Sequence, residues 1–517
     1  MDVVPTVPVG TVYLVGAGPG DPGLLTMRGH ACLTVADVVV YDALANSALL
    51  EYAPAAAERI FAGKRGHRPG MRQDEINALL VEHARRGRQV VRLKGGDPFI
   101  FGRGAEEAMV LRNAGIPYVV VPGVSAAIAV PAYAGIPVTH RGVSSSFTVV
   151  TGHEDLSKAS SDVDWSKLAT ATGTIVLMMG AQNIGTLADA LVRHGRSPET
   201  PVAVVRWGTY SEQKTWEGTL ATIGSLFSGH HPLPPLVIVV GDVVTLRKHV
   251  RWFDTGPLFG KRILVTRSRE QASSLVRALA DEQAIPIELP VISVRRSPRD
   301  VLDGALALLD SADWAVFTSS NGVQTMIDHA RERGHASLFE RIRIAAVGPT
   351  TARLIEATGY PVSFVPSVAT GAVLGDELPD VSGKRIVLLQ AAAARPDLRD
   401  AVARRGGRVY PVAVYATVGG ATASGSLDAV RRGEVDVVTF TSSSTVLRLL
   451  DALHDNGVLS PVELLGQKVI ACIGPVTAAT ARTHGLPVQI VATEHSVPGL
   501  LSALRTYFTD QEQEHAT

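Results

Sequence analysis

Short runs of Val, Ile and Leu alternate along most of the chain with longer stretches in which apolar residues recur every three or four positions. The runs at 11–15, 37–41, 89–93 and 118–121 have the length and β-branched content of strands, and the stretches at 24–35, 73–86 and 105–114 have the period of helices. Strands separated by helices predict an α/β fold with a largely parallel sheet, since each parallel crossover needs a connecting element. After Arg141 the texture changes. Further strands are predicted at 147–151, 174–178, 202–206 and 236–240, with Trp165, Trp207 and Trp216 nearby. This reads as a second α/β lobe starting near residue 142, and a cleft between two lobes is the default place for a ligand.

The stretch RKHVRWFDTGPLFG at 247–260 has Gly and Pro but no period, and is the best linker candidate. Beyond it the chain repeats itself. GKRILVTR at 260–267 recurs as GKRIVLLQ at 383–390, and FTSSNGV at 317–323 as FTSSSTV at 440–446, both at an offset of 123 positions. AVGPTTA at 346–352 recurs as CIGPVTA at 472–478, an offset of 126. Ordered matches at nearly one offset predict a duplicated α/β domain of two similar lobes, which need not be sequential because chains can cross between duplicated lobes. The division expected is 1–246 (lobes about 1–141 and 142–246), a linker at 247–260, the duplicated part at 261–508, and a polar tail at 509–517 that frays.

Composition narrows the function classes. Lys+Arg and Asp+Glu both number 49 in 517 residues, so a globally basic nucleic-acid binder is excluded. The two cysteines, Cys32 and Cys472, lie far apart in apolar segments and read as buried thiols of a cytoplasmic protein. No CxxC or HExxH points to a metal, no signal peptide is evident, and no apolar run approaches the ~18 residues of a membrane span.

Four motifs carry chemistry. Gly16-Ala17-Gly18-Pro19-Gly20-Asp21 follows a strand and invites a dinucleotide reading, but Pro19 removes an N–H and Asp21 puts an anion where phosphate would lie. A tight strand-to-helix turn is the plain alternative. The run RLKGGDPFIFGRG at 92–104 ends a strand in Gly95 and Gly96, where a ligand can approach the backbone, beside Asp97 and Arg103 as hydrogen-bonding groups. PGVSAA at 122–127 turns into a helix of small residues, which alone reads as helix–sheet packing. In GIPVTHR at 135–141, His140 alone reads as a loop histidine.

Together and in this order, from about residue 11 to 253, these motifs resemble the uroporphyrinogen-III C-methyltransferases, with TGH at 151–153, MMG at 178–180, WGT at 207–209 and RWF at 251–253 continuing the match. The resemblance implies a two-lobed tetrapyrrole methyltransferase fold that holds S-adenosylmethionine between its lobes and uses no metal. Its cofactor contacts would be Pro19, Gly95, Gly96, Asp97, Ile100, Ser125, Ala126, Met179 and Gly208. Asp42 would be the general base and Lys64 the proton donor. Arg103, His140, Arg141 and Lys64 would meet the substrate's carboxylates. The reaction implied is methylation of uroporphyrinogen III to precorrin-2 through precorrin-1, leading to sirohaem and cobalamin. A carboxylate suits loss of a proton from the macrocycle, and positioning of two large ligands would supply most of the barrier reduction. A homodimer through this half is also among what the resemblance implies. The chain departs from the pattern at Ala43, where the family has Arg, and at Met178, where it favours Tyr. Both changes bear on affinity more than on chemistry.

The duplicated part, across about 261–508, resembles uroporphyrinogen-III synthase in ILVTR, FTSSNGV, AVGPTTA, PVAVYAT, FTSSSTV and IGPVTA. That implies a two-lobed α/β fold that cyclises hydroxymethylbilane without a cofactor. Thr318, Ser319, Ser320, Thr350, Thr441, Ser442, Ser443 and Thr477 would hold the carboxylates, and Tyr415 would assist loss of the hydroxyl group. Singly, each Ser or Thr after an apolar strand reads as a helix cap, and Tyr415 as a packed strand residue; their duplication in both lobes favours the functional reading. The alternative for this half is a binding or regulatory module without activity. A dinucleotide-dependent oxidoreductase is the rival from another class. No iron insertion is expected.

Overall fold

The computed structural model describes residues 9–63, 70–152, 163–227, 233–266, 269–419 and 424–516. The chain divides into two compact units: residues 1–260 with 280–285, and 261–279 with 286–517.

The first unit holds two five-stranded sheets. β1 (Val12–Gly16), β2 (Val38–Tyr41), β3 (Glu58–Phe61), β4 (Val90–Lys94) and β5 (Tyr118–Val121) are ordered β3-β2-β4-β1-β5, every pair parallel. The central strands are covered on both faces, which is why they read as unbroken apolar runs. β3, ERIF at the sheet edge, has two exposed residues and no such run. The helices Gln73–Arg85 and Gly104–Asn113 lie within a residue of their expected bounds. The one expected at 24–35 is shorter, Met27–Thr34, because Asp21 first caps a 3₁₀ turn and Thr26 Oγ1 then accepts from Gly29 N at 3.0 Å to start the helix.

The second sheet comprises β6 (Phe147–Thr151), β7 (Thr174–Met178), β8 (Pro201–Arg206), β9 (Lys214–Thr219) and β10 (Leu236–Val240), ordered β6-β7-β10-β8-β9. Only β6 and β7 run parallel; the other pairs are antiparallel.

The stretch expected to link the two halves is part of the first unit. Arg247, 6% exposed, donates from Nη2 to Asp254 Oδ2 at 2.7 Å, from Nε to Glu217 at 3.0 Å, and to the Ala134 carbonyl. Arg251 Nε donates to Asp254 Oδ1 at 2.7 Å, Trp252 Nε1 donates to the Ala132 carbonyl at 3.0 Å, and Leu258 is fully buried. Burial opposes ionisation of Asp254, but the hydrogen bonds and charges of Arg247 and Arg251 outweigh it and hold the carboxyl below its usual range. A carboxyl depressed in the folded state stabilises above its unfolded value and loses that contribution as pH falls through the folded one. The brace is therefore at full strength at neutral pH. Cutting the chain after Leu246 removes both partners of the brace together with the buried Phe253 and Leu258, so that fragment is expected to unfold with about 3–5 kcal/mol less free energy than one ending at Gly260, from the lost apolar burial, as measured by urea denaturation; equal midpoints and slopes would show that the segment adds no stability.

The second unit also holds two five-stranded sheets, but the chain visits one twice. β11 (Arg262–Val265) and β12 (Ile285–Glu288) start the first sheet. β13 (Ile292–Arg296), β14 (Trp314–Phe317), β15 (Arg343–Ala346), β16 (Arg385–Ala391) and β17 (Arg408–Gly419) form the other, ordered β13-β17-β16-β14-β15. β18 (Val437–Phe440), β19 (Val469–Cys472) and β20 (Val488–Val491) return to the first, ordered β12-β11-β18-β19-β20. The sequence repeat is therefore not a lobe. β11 to β15 and β16 to β20 are the two copies, and each gives strands to both sheets. The long β17 corresponds, at the same offset of 123, to β12 and β13 together (285–296), which the chain splits between sheets. The tail expected to fray instead continues the last helix, Val497–Ala516.

Candidate active site

In the first unit, the loops after β4, β1 and β5 leave the same carboxyl edge of three adjacent parallel strands, where open α/β sheets bind ligands. They interlock. Gly18 N donates to Gly96 O at 3.2 Å and Gly96 N to Gly18 O at 2.7 Å. Asp97 accepts from Phe99 N at 2.8 Å through Oδ1 and from Gly123 N at 3.0 Å through Oδ2. A Cβ on Gly123 would overlap the Gly96 carbonyl, so this crossing admits only glycine. Facing these loops, β7, β8 and β10 present Met178, Val205, Leu236 and Val237, the turns that follow β7 and β8 add Met179, Trp207 and Gly208, and the cleft has a volume of about 210 Å³.

The backbone is strained around this cleft. Of seven non-glycine residues with positive φ among those described, five are Phe101, Arg103, Met179, Trp207 and Thr209. Such conformations cost about 1–3 kcal/mol each and gather where a site demands them. Asp21 ties the two walls: its N–H donates to Thr209 Oγ1 at 3.1 Å, and its Oδ2 accepts from the Tyr133 hydroxyl at 2.6 Å. Burial, and then the Asp21 bond, push the Tyr133 phenol well up. Asp21 Oδ1 accepts from Gly23 N at 2.7 Å. The carboxylate thus fills the turn that a dinucleotide's pyrophosphate would need.

In the second unit, the two FTSS segments take the same form. Ser319 and Ser442, both in extended backbone, cap the helices Ser320–Glu332 and Ser443–Asp455. Tyr415, 7% exposed on the interior strand β17, places its hydroxyl 2.8 Å from Ser319 Oγ. Ser443 Oγ accepts from Thr480 Oγ1 at 2.8 Å, and Ser442 Oγ lies 2.9 Å from Ser444 Oγ. Thr318 Oγ1 is 3.4 Å from the Leu389 carbonyl, and Thr441 is half-buried at the end of β18.

The family model for Tetrapyrrole (Corrin/Porphyrin) Methylases matches residues 11–224, and that for Uroporphyrinogen-III synthase HemD matches 273–502. The Porphyrin biosynthesis protein HemD of Ruminiclostridium josui is 35% identical over 500 residues, covering 96% of this chain and 97% of that protein. The chain belongs to the tetrapyrrole methylase and uroporphyrinogen-III synthase families, fused in one polypeptide. The methylase half is 52% identical over 237 residues to an S-adenosyl-L-methionine-dependent uroporphyrinogen III methyltransferase of Methanosarcina barkeri, covering 46% of this chain and 93% of that one. A uroporphyrin-III C-methyl transferase from Thermus thermophilus, complexed with S-adenyl homocysteine, is 36% identical with a TM-score of 0.39, covering 46% of this chain and 100% of that one.

In the methylase half, all nine residues expected at the cofactor line the one cleft: Pro19, Gly95, Gly96, Asp97, Ile100, Ser125, Ala126, Met179 and Gly208. Leu44, Val130, Trp207, Tyr210, Pro234 and Pro235 join them. Trp207 opens the WGT motif, whereas Pro234 and Pro235 belong to no motif. Asp42 is not on the lining. Its Oδ1 accepts from the N–H of Leu44, which is, at 3.0 Å, and its Oδ2 from Arg92 Nη2 at 3.4 Å. Arg103 is exposed and held by Glu106 at 2.9 and 2.7 Å, while His140 and Arg141 are exposed in the turn joining the two lobes. Lys64 lies outside the described residues.

In the synthase half, Thr477 departs from its expected place on a polar rim. It is 5% exposed within the helix Pro475–Thr483 and corresponds in the repeat to Thr351, also 5% exposed, whereas the exposed Thr350 corresponds to Val476. Thr350 and Thr477 are therefore not equivalent, and Thr477 packs into the fold. The Cys472 thiol is buried and pushed up to about 11 by that burial. Among the described residues, no group of three or more His, Cys, Asp or Glu is placed to hold a metal ion.

Proposed function

We propose that the methylase half transfers methyl groups from S-adenosylmethionine to uroporphyrinogen III, giving precorrin-2 through precorrin-1, and that the synthase half makes its substrate from hydroxymethylbilane. The observation that carries the first part is the convergence of nine residues, spread from 19 to 208, on one cleft. The residues fit the cofactor. Gly95 and Gly96 expose backbone, the opposite wall is apolar enough for a flat base, and each Asp97 oxygen retains a lone pair beyond its backbone bond. When bound, S-adenosylmethionine supplies an electrophilic methyl group. The chain's own part is to hold cofactor and macrocycle in line, to exclude water with Met178, Met179 and Trp207, and to take a proton from the macrocycle at Asp42. Arg103, His140 and Arg141 are cations available to the substrate's carboxylates; Arg103 would leave Glu106 to reach them. The reading needs no metal and places the enzyme in the cytoplasm, as a homodimer through its methylase half. No described helix is long and apolar enough to cross a membrane, and sedimentation checks the dimer.

Incubation of the full chain with hydroxymethylbilane and S-adenosylmethionine, followed by mass spectrometry, is expected to show a macrocycle carrying two added methyl groups. Unmethylated product alone would overturn the first part. Gly123→Ala pushes the Gly96 carbonyl out of its place under the cleft. It is expected to weaken binding of S-adenosylhomocysteine at least about tenfold, or 1.4 kcal/mol, by calorimetry. Unchanged affinity would remove this cleft as the cofactor site.

A further inference from the structure

The methylase half buries a charge cluster that no packing requirement explains. Arg92 and Lys94, two apart on β4, point to one face of the sheet, and Glu107 of the helix Gly104–Asn113 comes down on them. All three are at most 4% exposed. Glu107 Oε1 accepts from Lys94 Nζ at 2.8 Å, Arg92 Nε at 3.2 Å and Gln73 Nε2 at 3.1 Å. Its Oε2 is buried and meets no donor among the described residues. The Arg92 guanidinium is fixed from every side: Nη1 donates to the carbonyls of Val40 and Leu93 at 3.4 and 3.2 Å, and Nη2 reaches Asp42. Burial, and then the Arg92 charge, push the Lys94 ammonium below its ordinary value.

The rest of this face is apolar, formed by Val12, Leu14, Val38, Val40, Val90, Ala108 and Leu111. Apolar residues in place of buried ion pairs are often as stable or more so. Holding two cations and a carboxylate here is therefore poorly explained by stability. One edge of the cluster emerges, at Asp42, whose side chain is 25% exposed. We propose that Arg92, held by Glu107, is a positioning residue for methyl transfer: it aims the Asp42 carboxylate. This rests on the reading of Asp42 as the base. The charged groups of the cluster facing Asp42 are Arg92 and Lys94 from β4, with Glu107 behind them.

The test measures kcat and KM for uroporphyrinogen III in the full chain, with S-adenosylhomocysteine affinity alongside. Arg92→Gln frees the Asp42 carboxylate from its charged donor and is expected to lower kcat about tenfold or more, with KM and S-adenosylhomocysteine affinity within about twofold. Glu107→Gln loosens Arg92 at Nε and is expected to lower kcat in the same way but less, and Arg92→Lys, which keeps a cation beside Asp42, to restore part of the loss. In an Asp42→Asn background Arg92→Gln should cost nothing further, because the group it aims is already gone. A merely structural role would carry its cost into that background, or would raise KM and weaken affinity along with kcat; either result overturns the proposal. If Arg92→Gln does not fold, Glu107→Gln in the two backgrounds decides alone. An active Asp42→Asn removes both roles.

Discussion

Asp42→Asn is expected to lower single-turnover methyl transfer by about 10²- to 10⁴-fold, the range for loss of a general base, while S-adenosylhomocysteine affinity stays within about twofold. The choice of Asn follows from the geometry. Asp42 Oδ1 accepts from Leu44 N, and Leu44 lines the cleft. The Asn side chain keeps an acceptor at that position, so the loop holds its shape and the cofactor wall is undisturbed. What is lost is the charge facing Arg92 and the capacity to take a proton. An Ala variant would release the loop as well and confuse the two effects. Rapid-quench methylation with saturating cofactor reads the chemical step without product release. A rate near that of the wild type would end the assignment of Asp42, and a parallel collapse of cofactor affinity would make its role one of support for the Leu44 loop.

The methylase cleft was legible because its requirements fall on residue types that local sequence exposes. Gly95, Gly96 and Gly123 mark crossings where backbone meets backbone, and they follow apolar strands whose burial on both faces leaves an unbroken pattern. Edge strands lacked that signal: β3 reads ERIF and β9 reads KTWEGT, each facing solvent in part. The 247–260 stretch looked like a linker because its anchors are an arginine–aspartate brace and single buried residues, which have no period. The buried charges behind Asp42 were hidden for a related reason. Arg92 and Lys94 stand in a motif that reads as ligand-binding, yet they turn away from the cleft toward a helix thirteen to fifteen residues on.

In the second half, the offset of 123 found the duplication but not the lobes, because strand exchange is a property of the sheets. Thr350 and Thr477 were both candidates, although the Gly-Pro turn of the repeat aligns Thr477 with Thr351. Pro at the first helical position fixes the helix start after Gly348 and Gly474. From there Thr351 and Thr477, two residues after the proline, face inward, and Thr350 and Val476, one residue after it, face out.

Tyr415→Phe is expected to slow conversion of hydroxymethylbilane to the type III isomer by about 10²-fold, the low end for acid catalysis, since loss of the bilane's hydroxyl group is facile without an enzyme. The Tyr415 ring is packed in the core beneath the polar end of β14, and only its hydroxyl reaches a polar partner, Ser319 Oγ at 2.8 Å. Ser319 Oγ also accepts from Gly322 N at 3.2 Å, which fixes the oxygen as the cap of its helix. The phenol is therefore held at the N-terminus of that helix, oriented by a fixed oxygen. Removing the hydroxyl preserves ring packing and the cap, so a slower reaction reports the phenol itself. Ser319→Ala is the companion: it frees the phenol's orientation and costs the cap about 1 kcal/mol, and should reduce the rate less. The readout is the ratio of type III to type I porphyrin, separated after oxidation, from short incubations of the full chain without S-adenosylmethionine. A slowed enzyme releases more bilane to close without inversion, so the type I share must rise in Tyr415→Phe. An unchanged ratio rejects the tyrosine's role, and type I product alone from the wild type rejects synthase activity in this half.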